Sequence, residues 1–175
     1  MNSGVLWIKQ QLNDRKFRIF ITAGLVTGII LGAEFLLFSY SALKIIRYLI
    51  LLECMFILAW IDHQERRIPN KILLSMLIAR GLILIMEWVL VPSMGMPLLL
   101  SSLLGMLLGG GLFLLAYFIS KKGVGMGDVK LFAVTGCYVG GGSIMPLVFF
   151  SVLISALFSI VMLILKKINL KEEIP

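Results

Sequence analysis

The sequence predicts an all-α, polytopic membrane protein with about six transmembrane helices. Of its 175 residues, 60% are hydrophobic and only 14% are charged, which places the chain well outside the composition of soluble domains. A transmembrane helix needs about 20 mostly apolar residues. Suitable runs lie at residues 19–40, 48–61, 72–91, 97–119 and 146–165, with a shorter glycine-containing sixth at 129–142. The loops between them are short, so we predict one integral membrane domain over residues 1–175.

The N-terminal segment, residues 1–18, is basic and is predicted to lie in the cytoplasm or at the membrane surface. The apolar run that follows is longer than the 7–15 residues of a signal peptide and has no clear small-residue cleavage site, so we interpret it as a retained anchor. Val5, Ile8 and Leu12 have helical spacing, which favours a short surface helix over residues 5–17. A basic tail without structure is the alternative.

The positive charges predict the orientation of the chain. With the N-terminus inside, thirteen Lys and Arg residues fall on the cytoplasmic side, whereas only Lys44 and Arg47 fall outside and Arg80 lies within a span. This bias follows the positive-inside rule. It also indicates an even number of crossings, with both termini in the cytoplasm. The net charge of +7 therefore indicates membrane topology and not a nucleic-acid partner.

The connections between spans differ in polarity. The outward ones, residues 92–97 and 140–146, carry no charge and are predicted to be tight turns, whereas the inward ones, 62–71 and 121–130, hold most of the polar residues. Gly105 and Gly109 have the G-x-x-x-G spacing, which favours close packing of two helices in lipid. A hinge is the other reading of these glycines.

Two aspartates lie at membrane boundaries. Asp62 follows the second span and Asp128 follows the fourth, so an inside N-terminus places both at the cytoplasmic face. Two nearby carboxyl groups do not both ionise easily; the ionised one can activate water while the protonated one polarises a carbonyl. The pair therefore predicts hydrolysis of a peptide bond by an aspartyl mechanism. Either aspartate taken alone is more often a helix cap or an interfacial charge.

The residues around the two aspartates suit this chemistry. Pro69 favours an extended or turning chain, and Asn70 is predicted to cap a helix that begins near Lys71. Gly125 and Gly127 give the second loop conformational freedom to bring Asp128 towards a partner or a substrate. A helix that starts near Asp128 would favour its ionised form, so we assign Asp128 as the base and Asp62 as the acid.

These stretches resemble the motifs of a known family. IDHQERRIPN, residues 61–70, is similar to the first active-site motif of type IV prepilin peptidases, and GVGMGDVKL, residues 123–131, resembles their second, the G-x-G-D-x-K-L signature of GxGD-type membrane proteases. The resemblance covers roughly residues 50–165. It implies an aspartyl endopeptidase with Asp62 and Asp128 as the catalytic pair, supported by Gly125, Gly127 and Lys130.

The same resemblance implies the substrate and its location. Such enzymes cut the short, basic leader of prepilins and pseudopilins at the cytoplasmic face, just before a hydrophobic helix. Larger members add a segment with paired cysteines that is associated with N-methylation. Here the cysteines, Cys54 and Cys137, lie apart within apolar runs, so we predict a short form without methyltransferase activity.

Other polar residues fall within or near the spans, and such residues are functional candidates by default. Glu53, two and a half helical turns before Asp62, is the best candidate for a substrate contact. Arg80 and Glu87 are seven residues apart on one helix face and are predicted to form a structural pair. With one histidine and no C-x-x-C, the sequence predicts neither a metal site nor a cofactor.

Two rival functions come from other classes. A small proton-coupled transporter would need carboxylates near the bilayer midplane and broken helices there, whereas Asp62 and Asp128 lie at the edges of spans. A noncatalytic scaffold packed through G-x-x-x-G would tolerate neutral replacement of either aspartate. Neither rival accounts for both motifs.

Overall fold

The computed structural model describes residues 15–120 and 124–165, and within these ranges the chain forms six α-helices and no strand. The helices are α1 (Arg15–Leu37), α2 (Ala42–Glu65), α3 (Asn70–Leu90), α4 (Pro92–Ile119), α5 (Met126–Val139) and α6 (Gly141–Ile164). The all-α prediction is confirmed. The predicted surface helix over residues 5–17 lies outside the described residues except at its end, where α1 begins.

Four of these helices, α1, α3, α4 and α6, are long and apolar enough to cross a membrane. Helix α2 has 24 residues, enough to cross, but contains more charged side chains. Helix α5 has 14 residues, or about 21 Å at 1.5 Å per residue, which is shorter than the hydrocarbon core of about 30 Å. The chain is thus a multi-pass membrane protein.

The predicted turns at residues 92–97 and 140–146 are wrong in extent, because residues 92–97 and 141–146 are helical. Helix α4 begins at Pro92 and α6 begins at Gly141, so Val91 and Gly140 are the only residues between helices there. Proline suits the first position of a helix because its missing N–H would have no partner in the helix anyway. Gly140 has φ +88°, a conformation open to glycine, and it alone separates α5 from α6.

The packing divides the chain into two compact units, with the division between Glu65 and Arg66. In the first unit, α1 packs against α2 through its buried glycines. A Cβ atom added to Gly24 would lie 3.1 Å from Cγ of Phe56, so the absence of a side chain there lets the aromatic ring lie against the helix. Phe20 adds a ring contact to Phe56, with centroids 5.3 Å apart.

In the second unit, α4 packs against α3, α5 and α6. The backbones of α4 and α5 touch at Gly105 and Gly136, where a Cβ atom on either residue would overlap the carbonyl of the other. One turn along, Gly109 lies against the carbonyl of Phe132. The predicted packing role of Gly105 and Gly109 is confirmed. Because lipid supplies no hydrophobic drive, this close backbone approach is a main source of helix association.

A buried polar network holds α3, α4 and α5 together. The Arg80 side chain is 1% exposed, and its Nη1 lies 2.9 Å from Oε2 of Glu87, which confirms the predicted pair. Nη2 of Arg80 donates to Oγ of Ser102 at 2.7 Å, and Nε donates to the carbonyl oxygen of Cys137 at 3.1 Å. That carbonyl lies in the last turn of α5, where backbone acceptors lack partners within the helix. Arg80 therefore caps α5 inside the protein.

Candidate active site

Asp62 lies in the last turn of α2, and its side chain is exposed. Its neighbour Ile61 is buried at 8% exposure, so the helix anchors one side of this turn and leaves the carboxylate open to solvent. The helix ends at Glu65, and Arg66 follows with φ +50°, in the left-handed region that terminates helices. The prediction that Asp62 stands where a helix ends and the chain turns is confirmed.

The chain between α2 and α3 is extended at Pro69, with φ −71° and ψ 120°. The predicted capping role of Asn70 is wrong. Pro69 occupies the cap position, no side chain caps α3 by a hydrogen bond, and Asn70 is the first helical residue. The side chain of Asn70 is used elsewhere, because its Oδ1 accepts a hydrogen bond of 3.1 Å from Nζ of Lys130.

Asp128 lies in the first turn of α5, which begins at Met126, with Gly125 as its extended cap residue. The Asp128 N–H donates to the carbonyl oxygen of Gly125 at 3.1 Å. A Cβ atom on Gly125 would lie 3.1 Å from Oδ2 of Asp128, so the carboxylate folds back over this glycine. The side chain is half-buried, at the end of the helix where the macrodipole favours negative charge.

The end of the first motif packs directly on the second. A Cβ atom on Gly127 would lie 3.2 Å from Cβ of Ile68, so this glycine allows the segment before α3 to contact the first turn of α5. The hydrogen bond from Lys130 to Asn70 adds a polar link beside this contact. The second unit thus joins Ile68 and Asn70 to the helix that carries Asp128, while Asp62 belongs to the first unit.

Glu53 lies on α2 within the first unit, half-buried, where it lines a cavity of about 100 Å³. The other lining residues are apolar, and four of them are aromatic: Phe17, Phe20, Phe56 and Trp60. The role of Glu53 as a substrate contact stays a prediction.

Sequence reasoning missed Ile68 and Ser102. Ile68 carries no chemical signal, since only its contact with Gly127 shows that it links the motifs. Ser102 and its neighbour Ser101 are polar residues in a long apolar run, which was a usable sign of a buried hydrogen bond, here from Arg80 to Ser102.

The fold and these two motifs define a polytopic α-helical membrane protein with a carboxylate at each of two helix ends. The chain belongs to the type IV leader peptidase family, which it matches over residues 49–162. The predicted family resemblance is confirmed, and the matched region contains Asp62, Asp128 and all the supporting residues.

A curated relative is the prepilin leader peptidase/N-methyltransferase of Bacillus subtilis (strain 168). It is 29% identical over 157 residues, which cover 87% of this chain and 58% of the relative. The chain thus spans little more than half the length of that protein. No solved structure matches the chain.

Proposed function

We propose that this protein is a membrane aspartyl endopeptidase that removes the basic leader of type IV prepilins or prepilin-like proteins. The observation that carries the proposal is the pair of family motifs, each with its aspartate at a helix end. Ile68 of the first motif packs on the first turn of α5, and Asn70 accepts a hydrogen bond from Lys130 of the same helix. Membership of a peptidase family supports the reaction class, and the name of the Bacillus relative supports the substrate class.

Asp128 and Asp62 act as base and acid in this proposal. The Asp128 carboxylate takes a proton from water as the water oxygen bonds to the scissile carbonyl carbon, and the Asp62 carboxyl gives its proton to the carbonyl oxygen. When the C–N bond then breaks, the leaving amine takes the proton from Asp128, and a hydroxyl of the diol returns one to Asp62. The assignment rests on Asp128 lying at the positive end of a helix dipole and Asp62 in the last turn of its helix.

The charge distribution supports cleavage at the cytoplasmic face. The basic residues of the connections at 62–71 and 121–130 accompany both aspartates, and the positive-inside rule assigns such connections to the cytoplasm. A substrate helix would enter from the lipid while its leader stays in water. Both termini of the enzyme would then be cytoplasmic.

The proposal does not include methylation of the new N-terminus. That activity appears in the name of the B. subtilis relative. Cys54 and Cys137, the two cysteines, lie on different helices of different units and offer no paired-cysteine segment.

Co-expression with prepilins from the same genome tests the proposal, with leader removal read as a mobility shift and by mass spectrometry of the new N-terminus. Asp62→Asn and Asp128→Asn should each lower the cleavage rate by about 10²- to 10⁴-fold, the usual contribution of a general acid or base. Glu65→Gln is the matched control, because Glu65 is an exposed carboxylate one turn from Asp62. It should cleave at the wild-type rate.

Membrane insertion of each variant is checked by fractionation. Substantial cleavage by either aspartate variant would refute the pair. If the wild-type protein is inserted in the membrane but cleaves no candidate prepilin, a transporter or a noncatalytic scaffold becomes the better hypothesis.

A further inference from the structure

The cavity of the first unit combines apolar walls with one acidic residue. Of its eight lining residues, seven are apolar or glycine, four of these are aromatic, and the eighth is Glu53. Ionisable residues within spans normally pair with another group or mark a functional path. Within residues 15–120 and 124–165, no hydrogen bond to the Glu53 carboxylate is found.

The neighbouring helix leaves space for this carboxylate. A Cβ atom on Gly28 of α1 would lie 2.8 Å from Oε1 of Glu53, closer than such atoms approach. Gly24 makes the same allowance for the ring of Phe56. Two glycines on one face of α1 therefore let the Glu53 carboxylate and the Phe56 ring lie side by side against this helix, and Gly24 is the one that also lines the cavity.

From this geometry we infer that the cavity binds the hydrophobic helix of the substrate through one side chain that donates a hydrogen bond to Glu53. The aromatic walls suit the apolar flank of such a helix, and only a donor complements the carboxylate. This inference rests on the proposed function, since it takes the substrate to be a protein with a membrane helix after its cleavage site.

The position of Glu53 along α2 limits where the donor lies in the substrate. Glu53 precedes Asp62 by nine residues, about 13 Å along a helix axis at 1.5 Å per residue. A substrate that runs beside α2 from a scissile bond at Asp62 covers this distance with about nine helical residues or about four extended ones, at about 3.3 Å each. The donor is therefore expected four to nine residues after the cleaved bond.

A binding experiment tests the site without cleavage. Two labelled Leu-rich transmembrane peptides, identical except for one central Asn or Leu of similar volume, are titrated against the full chain in nanodiscs and followed by fluorescence anisotropy. The wild-type protein should bind the Asn peptide about three- to tenfold more tightly, the range expected for a side-chain hydrogen bond between membrane helices.

Glu53→Met should remove this preference or reverse it while the Leu peptide still binds, which excludes misfolding as the cause. Glu34→Gln is the matched control, since Glu34 is an exposed carboxylate on α1 that does not line the cavity; it should behave as wild type. Equal binding of both peptides to the wild-type protein, or an Asn preference that survives Glu53→Met, would overturn the inference.

A cleavage experiment tests the register with a prepilin that the wild-type protein processes. A single Asn is moved along its hydrophobic helix in a sequence otherwise free of polar side chains. The KM should be lowest with Asn four to nine residues after the cleaved bond, and Glu53→Met should abolish that minimum while kcat stays within about twofold. A KM independent of Asn position would overturn the register. Failure to process any prepilin counts against the proposed function. The peptide titration does not depend on cleavage and tests separately whether the cavity binds a hydrogen-bond donor through Glu53.

Discussion

Gly105→Ala is the sharpest test of the packing between α4 and α5. The new Cβ atom would lie 2.8 Å from the carbonyl carbons of Gly136 and Gly140, and closer still to the Gly136 oxygen. Ordinary carbon contacts are about 3.5–4.0 Å, so the helices must separate by at least about 0.7 Å. All these neighbours are backbone atoms, so no side-chain rotation relieves the overlap.

Overpacking of this kind costs about 1–3 kcal/mol, and a chain of this size loses about 2–4 °C of melting temperature per kcal/mol. We therefore expect Gly105→Ala to lower the midpoint of thermal unfolding by about 2–12 °C, followed by tryptophan fluorescence in detergent at one scan rate. Cleavage should fall as well, because the displaced helix carries Asp128 in its first turn.

Gly111→Ala is the control for this experiment. Gly111 lies on the same helix, but a Cβ atom there meets nothing within 4 Å. Both substitutions gain the same helix propensity, about 0.5–1 kcal/mol, so their difference isolates the contact. If Gly105→Ala melts at or above the temperature of Gly111→Ala, the close approach of the two backbones is not a determinant of stability.

Three further changes probe other contacts. Arg80→Met removes the guanidinium from beside the buried Glu87 carboxylate and should lower the free energy of unfolding by about 3–5 kcal/mol, measured by thermal unfolding. A smaller loss in the Arg80→Met/Glu87→Met double variant would identify the unpaired Glu87 charge as the cause, and an equal loss would contradict this explanation. The effects of Asn70→Ala and Lys130→Met on the free energy of unfolding should be coupled by about 0.5–1 kcal/mol in a double-mutant cycle. Additive effects would mean that the hydrogen bond between these side chains does not contribute to stability. Gly140→Ala places a side chain at a positive φ that favours glycine, and its Cβ atom would overlap Oγ of Ser101, so the free energy of unfolding should fall by about 1–3 kcal/mol. An unchanged melting temperature would show that the connection between α5 and α6 tolerates another conformation.

The sequence was informative where a residue type breaks the apolar pattern. Arg80 and Glu87 stand out as charges within a span, and their spacing of seven fixes them on one helix face, so their pairing was predictable. The spacing of Gly105 and Gly109 likewise predicted a close contact between two helices. The helix that these glycines contact was not predictable. A helix that is apolar on all sides has no polar face, so its sequence does not show which side packs against which neighbouring helix.

Errors arose where local propensity competed with tertiary contacts. Asn70 is a favoured capping residue, but the ammonium of Lys130, sixty residues later, takes its side-chain oxygen. The stretches at 92–97 and 140–146 were predicted to be turns because they carry no charge, but an uncharged stretch can also be helical, and Pro92 suits the first position of a helix. The contact between Tyr138 and the carbonyl of Met76, at 2.6 Å, joins α5 to α3 and had no signal in either segment.

The short length of α5 has a consequence for how the protein enters the membrane. A helix of 14 residues has too few apolar side chains to partition into lipid by itself, and its last turn relies on Arg80 of α3 for a hydrogen bond to the Cys137 carbonyl. In lipid alone that carbonyl would lack a donor, at a cost of several kcal/mol. Helix α5 must therefore be inserted after α3 and α4 are in place, which makes the segment that carries Asp128 one of the last to be assembled during biogenesis.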